Sequence, residues 1–127
     1  MIGDAVRELL VNDATLSGII GKRMFPQMIP QGTGMPVIAY SIANTQPKSC
    51  KVNGEYLDEV DISLLIFSKN YGETEQIGQR VRKVIDDYSG TVKGKELSIS
   101  YNGEKDNASE QAKLYGKSQS YKVFYKH

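Results

Sequence analysis

Val60-Asp61-Ile62-Ser63-Leu64-Leu65-Ile66-Phe67, with the run that follows it through Asn70-Tyr71-Gly72-Glu73 to Gly90, decides how this chain folds. One parity of the first segment, Val60, Ile62, Leu64 and Ile66, is wholly apolar, as a half-buried strand requires. The other parity starts polar at Asp61 and Ser63 and ends apolar at Leu65 and Phe67, so the strand has an unusual second face. Asn70 suits a helix start because its side chain can accept from an orphan backbone N–H while Glu73 reaches back. Ile77, Val81, Val84, Ile85 and Tyr88 then fall at i, i+4, i+7, i+8 and i+11 on one stripe, with Gly90 as the expected left-handed terminator. The helix stripe is expected to pack on the apolar strand face.

Outward from this centre, residues 2–11 carry Ile2, Ala5, Val6, Leu9 and Leu10 at helical spacing, and Leu16, Ile19 and Ile20 mark a short second helix ended by Gly21. Pro26, Pro30, Gly32 and Gly34 punctuate residues 22–35, which read as a connector holding at most a short edge strand at Arg23-Met24-Phe25. Residues 36–44 alternate, with Ile38, Tyr40 and Ile42 on one parity. Residues 45–56 form a polar excursion, and Asn53-Gly54 favours an extended two-stranded arm over a loop. Leu97, Ile99 and Tyr101 mark a third main strand, and Tyr121, Val123 and Tyr125 a last one. Between them, residues 103–116 read as an exposed loop with a helical turn near 108–114.

The expected fold is therefore α+β, in the order α-(α)-β-β-α-β-β: an antiparallel sheet of about four main strands with helices packed on one face. One domain, 1–127, fits the length. The helices claim one sheet face, leaving the apolar area of Leu65, Phe67 and Phe124 in want of a partner. The alternative cover is the connector itself, through Phe25, Met28 and Ile29. Leu65, Phe67 and Phe124, with Lys48, Lys51 and Asn53 of the arm, are the candidate interface residues.

Composition narrows the function. Hydrophobic residues make up 39% and charged residues 24%, and the net charge of +1 offers no global attraction for nucleic acid or anionic lipid. The single cysteine, Cys50, excludes an intrachain disulfide and a cysteine metal cluster. The only histidine is the terminal His127, which leaves serine or cysteine nucleophiles without a base. Asp58, Glu59 and Asp61 are the densest carboxylates but lack further ligands, so a solvated strand end is preferred to a metal-dependent enzyme there. Gly32-Thr33-Gly34 is loop punctuation, without the strand, helix and Lys-Ser/Thr pair of a phosphate cradle. Tyr115, Lys117, Tyr121, Lys122, Phe124, Tyr125 and Lys126 interleave rings and lysines as a single-strand binding platform does, although strand parity sends Tyr121 and Tyr125 inward. No enzyme, cofactor or metal is expected, and no run approaches a membrane-spanning length. Charges near the N-terminus argue against a secretory signal and for the cytoplasm.

Residues 16–21 followed by Lys22-Arg23-Met24-Phe25-Pro26, then Pro30-Gln31, Met35-Pro36-Val37-Ile38-Ala39-Tyr40, Glu59-Val60-Asp61-Ile62 leading to Ser68, and Ser120-Tyr121-Lys122-Val123-Phe124-Tyr125 stand in a telling order. Together they resemble the tail completion, or tail terminator and head-to-tail joining, proteins of long-tailed bacteriophages and prophages, over nearly the whole chain. The resemblance implies a structural virion protein that self-associates, typically as a ring of six. Its implied partners are the tail tube protein and the head connector, at the head-proximal end of the tail, after assembly in the host cytoplasm. It transfers no catalytic residues. The competing reading is a small nucleic-acid-binding module that uses the basic, tyrosine-bearing C-terminal strand.

Overall fold

The computed structural model describes the backbone of residues 2–52, 55–109 and 113–126, and the side chains of 2–45, 58–107 and 113–125. Its elements in chain order are α1 (Ile2–Val11), α2 (Ala14–Ile20), β1 (Met24–Pro26), β2 (Val37–Val52), β3 (Glu55–Ser68), α3 (Tyr71–Ile85), β4 (Ser89–Val92), β5 (Lys95–Ser109) and β6 (Leu114–Lys126). The strands form one sheet in the order β1-β2-β3-β6-β5-β4. β1 runs parallel to β2, and every other pairing is antiparallel.

The expected four-stranded antiparallel sheet with helices on one face is thus corrected in count, direction and shape. The sheet has six strands, is mixed, curls into a half-barrel and takes up about half of the chain. Each departure has a physical cause. The short edge strand expected at Arg23-Met24-Phe25 is present as β1 and adds to the main strands, while β4 is four residues long, too short for alternation to register. Gly90, expected to end α3, lies inside β4; the helix stops at Ile85, Asp86 donates its N–H to the Arg82 carbonyl, and Asp87 takes the positive φ of 60°. Residues 103–109, expected as loop, continue β5 past a bulge between Tyr101 and Gly103. Their polar character concealed a strand whose inward parity meets charge instead of hydrocarbon.

The core joins α1 and α2 (Ile2, Ala5, Val6, Leu10, Leu16, Ile20) to α3 (Ile77, Val81, Ile85) and one parity of the sheet, including Ile38, Tyr40, Val60, Ile62, Leu64, Ile66, Leu97, Ile99, Tyr121 and Val123. The expected union of the β3 face with the α3 stripe is present, with Val84 at its margin. Burial of such faces contributes about 25 cal/mol for each Å² of apolar surface removed from water. Local polar bonds aim the helices. Asp13 caps α2 by accepting from the Leu16 N–H at 3.0 Å, and its carboxylate also takes two bonds from Arg80 of α3, at 2.9 and 2.7 Å. Asn70 accepts from the Glu73 N–H at 3.3 Å, while Glu73 reaches back to accept from the Ser68 hydroxyl at 2.5 Å. Arg7 donates to the Met24 and Lys22 carbonyls, and Arg23 to those of Pro36 and Ile19, which fixes short β1 against its neighbours.

Candidate assembly surface

Register settles where the expected interface residues lie. On the parity away from the core, β3 places Phe67 opposite Val37 and Gly116, and Leu65 opposite Ala39 and Ser118. Leu65 and Phe67 are half-buried, and Val37 and Ala39 are buried although they lie outside the main core cluster. The Phe67 ring rests on Gly116: a Cβ there would stand 3.2 and 3.4 Å from two ring carbons and 2.9 Å from the Asn107 carbonyl oxygen. The missing side chain at Gly116 therefore leaves room for the Phe67 ring beside the strand pair. Phe25, opposite Ala39, belongs to β1 and so to the sheet, while Met28 is 81% exposed and Ile29 is half-buried.

Phe124 is not part of that patch. It pairs with Glu59 and Ser98, eight positions along β3 from Phe67, roughly 26 Å at strand rise. Between them the same parity carries Ser63, Asp61, Ser118, Ser120 and Lys122, and Ser41, Ser63, Ser120 and Gly103 form one row across four strands. The sequence-expected single apolar face is two separate apolar ends divided by a hydroxyl-lined middle.

Lys48 and Lys51 lie on the part of β2 that outruns the sheet; Asn53 falls outside the described residues. β1 covers β2 only from Ile38 to Tyr40, and the last partner of β6 on β3 is Leu57. Beyond it, Lys51 pairs with Tyr56 and Val52 with Glu55, with no third strand on either side among the described residues. The two-stranded arm favoured by Asn53-Gly54 is thus observed.

At the opposite end of the sheet sits a site that the sequence reading passed over. Lys117 projects beneath α3 with its side chain 4% exposed, and its ammonium meets Glu75 at 2.6 Å, Glu104 at 2.9 Å and Asp106 at 2.9 Å. Three carboxylates match its three N–H donors. Gln119, fully buried, donates to the Gly78 carbonyl at 3.0 Å and to Glu104 at 3.2 Å, and accepts from the Tyr121 hydroxyl at 2.9 Å. Gly78 allows this approach, since a Cβ there would stand 2.8 Å from Lys117 Cδ and 3.1 Å from Gln119 Nε2. Tyr71 at the start of α3 donates to Asp106 at 2.8 Å and stacks edge-to-face on Tyr115, with centroids 5.9 Å apart. The signal was present: Lys117 and Gln119 share the parity of Tyr121 and Val123, and polar residues at core positions announce a buried network.

Charge balance follows from this packing. Burial alone would lower the Lys117 pKa, but hydrogen bonds to Glu75, Asp106 and Glu104 outweigh it and hold the ammonium charged. The bond from Lys117 lowers Glu104 against the cost of its partial burial, and bonds from Lys117 and Tyr71 lower Asp106. The bond to Asp106 pushes the Tyr71 phenol up to about 12. Lys122 pairs with Glu59 at 3.2 Å, and Lys95 lies 5.4 Å from the Tyr125 ring. Much of the basic, aromatic C-terminal stretch is therefore engaged within the fold. Among the described residues, no group of three or more His, Cys, Asp or Glu side chains is arranged to hold a metal, and no helix is long and apolar enough to cross a membrane.

The fold has known counterparts. A chain of a solved structure described as the virion of a native gene transfer agent particle superposes with a TM-score of 0.77, covering 98% of this chain and 93% of that one at 12% identity. At that identity the likeness establishes the fold. No curated protein matches the sequence. The family model for tail completion protein gp17 matches residues 4–126, so that the α1 to β6 framework, its arm and its buried hub are all spanned by one pattern; the chain belongs to the tail completion protein gp17 family.

Proposed function

We propose that this chain is a non-enzymatic structural protein of the virion that completes the tail by self-association. In this reading the whole chain, 1–127, acts as one domain. Six copies form a ring at the head-proximal end of the tail tube after assembly in the host cytoplasm, stop tube growth and present a surface to the head connector. The observation that carries the proposal is the family match across residues 4–126. The two-stranded arm supports it, because an isolated two-stranded ribbon is marginal in water and gains stability from something packed against it. Ring closure needs one surface to meet a different surface of the neighbour. The arm with Lys48, Lys51 and Asn53, the patch of Leu65 and Phe67, and the separate site of Phe124 supply unlike surfaces. The alternative of nucleic-acid binding loses its main support with Lys117 and Lys122 held in ion pairs.

Replacing Phe124 or Phe67 by Asp tests the two apolar ends separately, with folding and incorporation into tails both measured. A folded variant that no longer joins tails supports an interface at that end. Unfolding assigns the residue to internal packing, and incorporation at the wild-type level removes it from the interface. Phe67→Asp is expected to cost more stability than Phe124→Asp, because the Phe67 ring lies on Gly116.

A further inference from the structure

The arm and the hub occupy opposite ends of β3, with Glu55 at one end and Ser68, opposite Tyr115, at the other. From Leu57 to Ser68 is roughly 36 Å at strand rise, so the described arm strands and the hub stand at opposite ends of β3. Each carries what the other lacks. The arm segment 46–56 holds Lys48 and Lys51 against the single carboxylate Glu55. The hub sets three partly exposed carboxylates around one lysine, a formal balance of −2, beside two exposed rings, Tyr71 at 46% and Tyr115 at 44%. Two tyrosines standing edge-to-face in solvent form an apolar ledge, and such side chains are enriched in interface cores.

Resting on the assembly reading above, we infer that the β2–β3 arm of one copy docks on the Tyr71–Tyr115 ledge and the acidic rim of Glu75, Glu104 and Asp106 of the next copy. The contact is head-to-tail between unlike ends of one sheet, so it repeats around a ring without any copy using the same surface twice. Lys48 and Lys51 bring cations to the rim, and the ledge gives the ribbon a neighbour where no third strand flanks it among the described residues.

Cys50 lies in the arm, which makes a covalent test direct. Wild-type chain, carrying the arm thiol, is mixed with a Cys50→Ser, Lys69→Cys chain carrying a thiol in the turn before Tyr71 and a size tag. The mixture is mildly oxidised at a concentration where sedimentation shows association. Mixed dimers are expected to dominate over like-with-like dimers. Charge reversal by Lys48→Glu with Lys51→Glu is expected to cut the mixed product about tenfold or more at unchanged melting temperature. Association without mixed dimers, or mixed dimers indifferent to charge reversal, overturns this contact and leaves the assembly reading standing. A chain that stays monomeric at every concentration, and does not bind tail tubes, overturns both.

Discussion

Two β-hairpins of this molecule look alike in sequence and differ in what holds them. The β5–β6 hairpin and the β2–β3 arm are both long, polar and broken by a register shift. The first has α3 laid over it, a buried lysine spanning three carboxylates and a glutamine bonded to the helix backbone. The second leaves the sheet with two strands and no cover among the described residues. The difference teaches that polarity in a strand has two opposite meanings. Where polar side chains share the core parity they tie elements together, and where they extend past the last neighbouring strand they mark a ribbon that outruns the sheet.

The largest break in that comparison is Lys117→Ala. It leaves Glu75, Glu104 and Asp106 facing one another without a cation, and removing one partner of a buried ion pair costs about 3–5 kcal/mol. Partial exposure of the carboxylates places the expected loss at the low end, about 3 kcal/mol by chemical denaturation. A loss under about 0.5 kcal/mol would show that the hub does not anchor the hairpin. Gly78→Ala is the next step down. The added methyl meets Lys117 Cδ, the middle of a flexible chain, and the buried Gln119 amide, so a loss of about 1–3 kcal/mol is expected in the same measurement. An unchanged midpoint would mean that the helix rides higher than the hub requires.

Acid offers a milder break. Glu104 and Asp106 have lowered folded pKa values, so they bind fewer protons when folded, and the stability they contribute is present above their unfolded values. It is expected to fade as pH falls from about 4.5 through the lowered folded values. Lys117 is raised, so its contribution is complete below the unfolded lysine value and is lost only in strong alkali. Wild type should therefore lose more stability than a Glu104→Gln, Asp106→Asn variant between pH 5 and about 3, read from denaturation midpoints. Equal losses would place the acid-sensitive groups elsewhere.

How much of this was legible in the sequence depended on whether a residue's partners are local. The α3 cap at Asn70, the apolar parity of β3 and the stripe of Ile77, Val81 and Ile85 follow from spacing within one element, and they stand where spacing put them. β4 takes its strand character from a neighbour, since Ser89 to Val92 pairs with β5 and no local pattern marks it, whereas β1 stands where a short edge strand was expected at Arg23-Met24-Phe25 and pairs with β2. The Lys117 hub went unread because its three carboxylates come from α3 and β5, up to 42 positions away in the chain. Leu65, Phe67 and Phe124 were correctly placed on one parity, yet parity alone does not show that serines and Lys122 separate them. Asn53-Gly54 pointed to the arm because a two-residue turn is a local event.

The central claim is that the arm serves assembly and is dispensable for the fold. Replacing residues 48–56 by a two-residue turn tests it most directly, in cells producing particles that lack the wild-type chain. The account predicts a shortened protein that melts within about 3 °C of wild type, since the arm adds no strand to the core, and that leaves tails uncompleted. Normal tail completion by the shortened protein, or its failure to fold, would contradict the account.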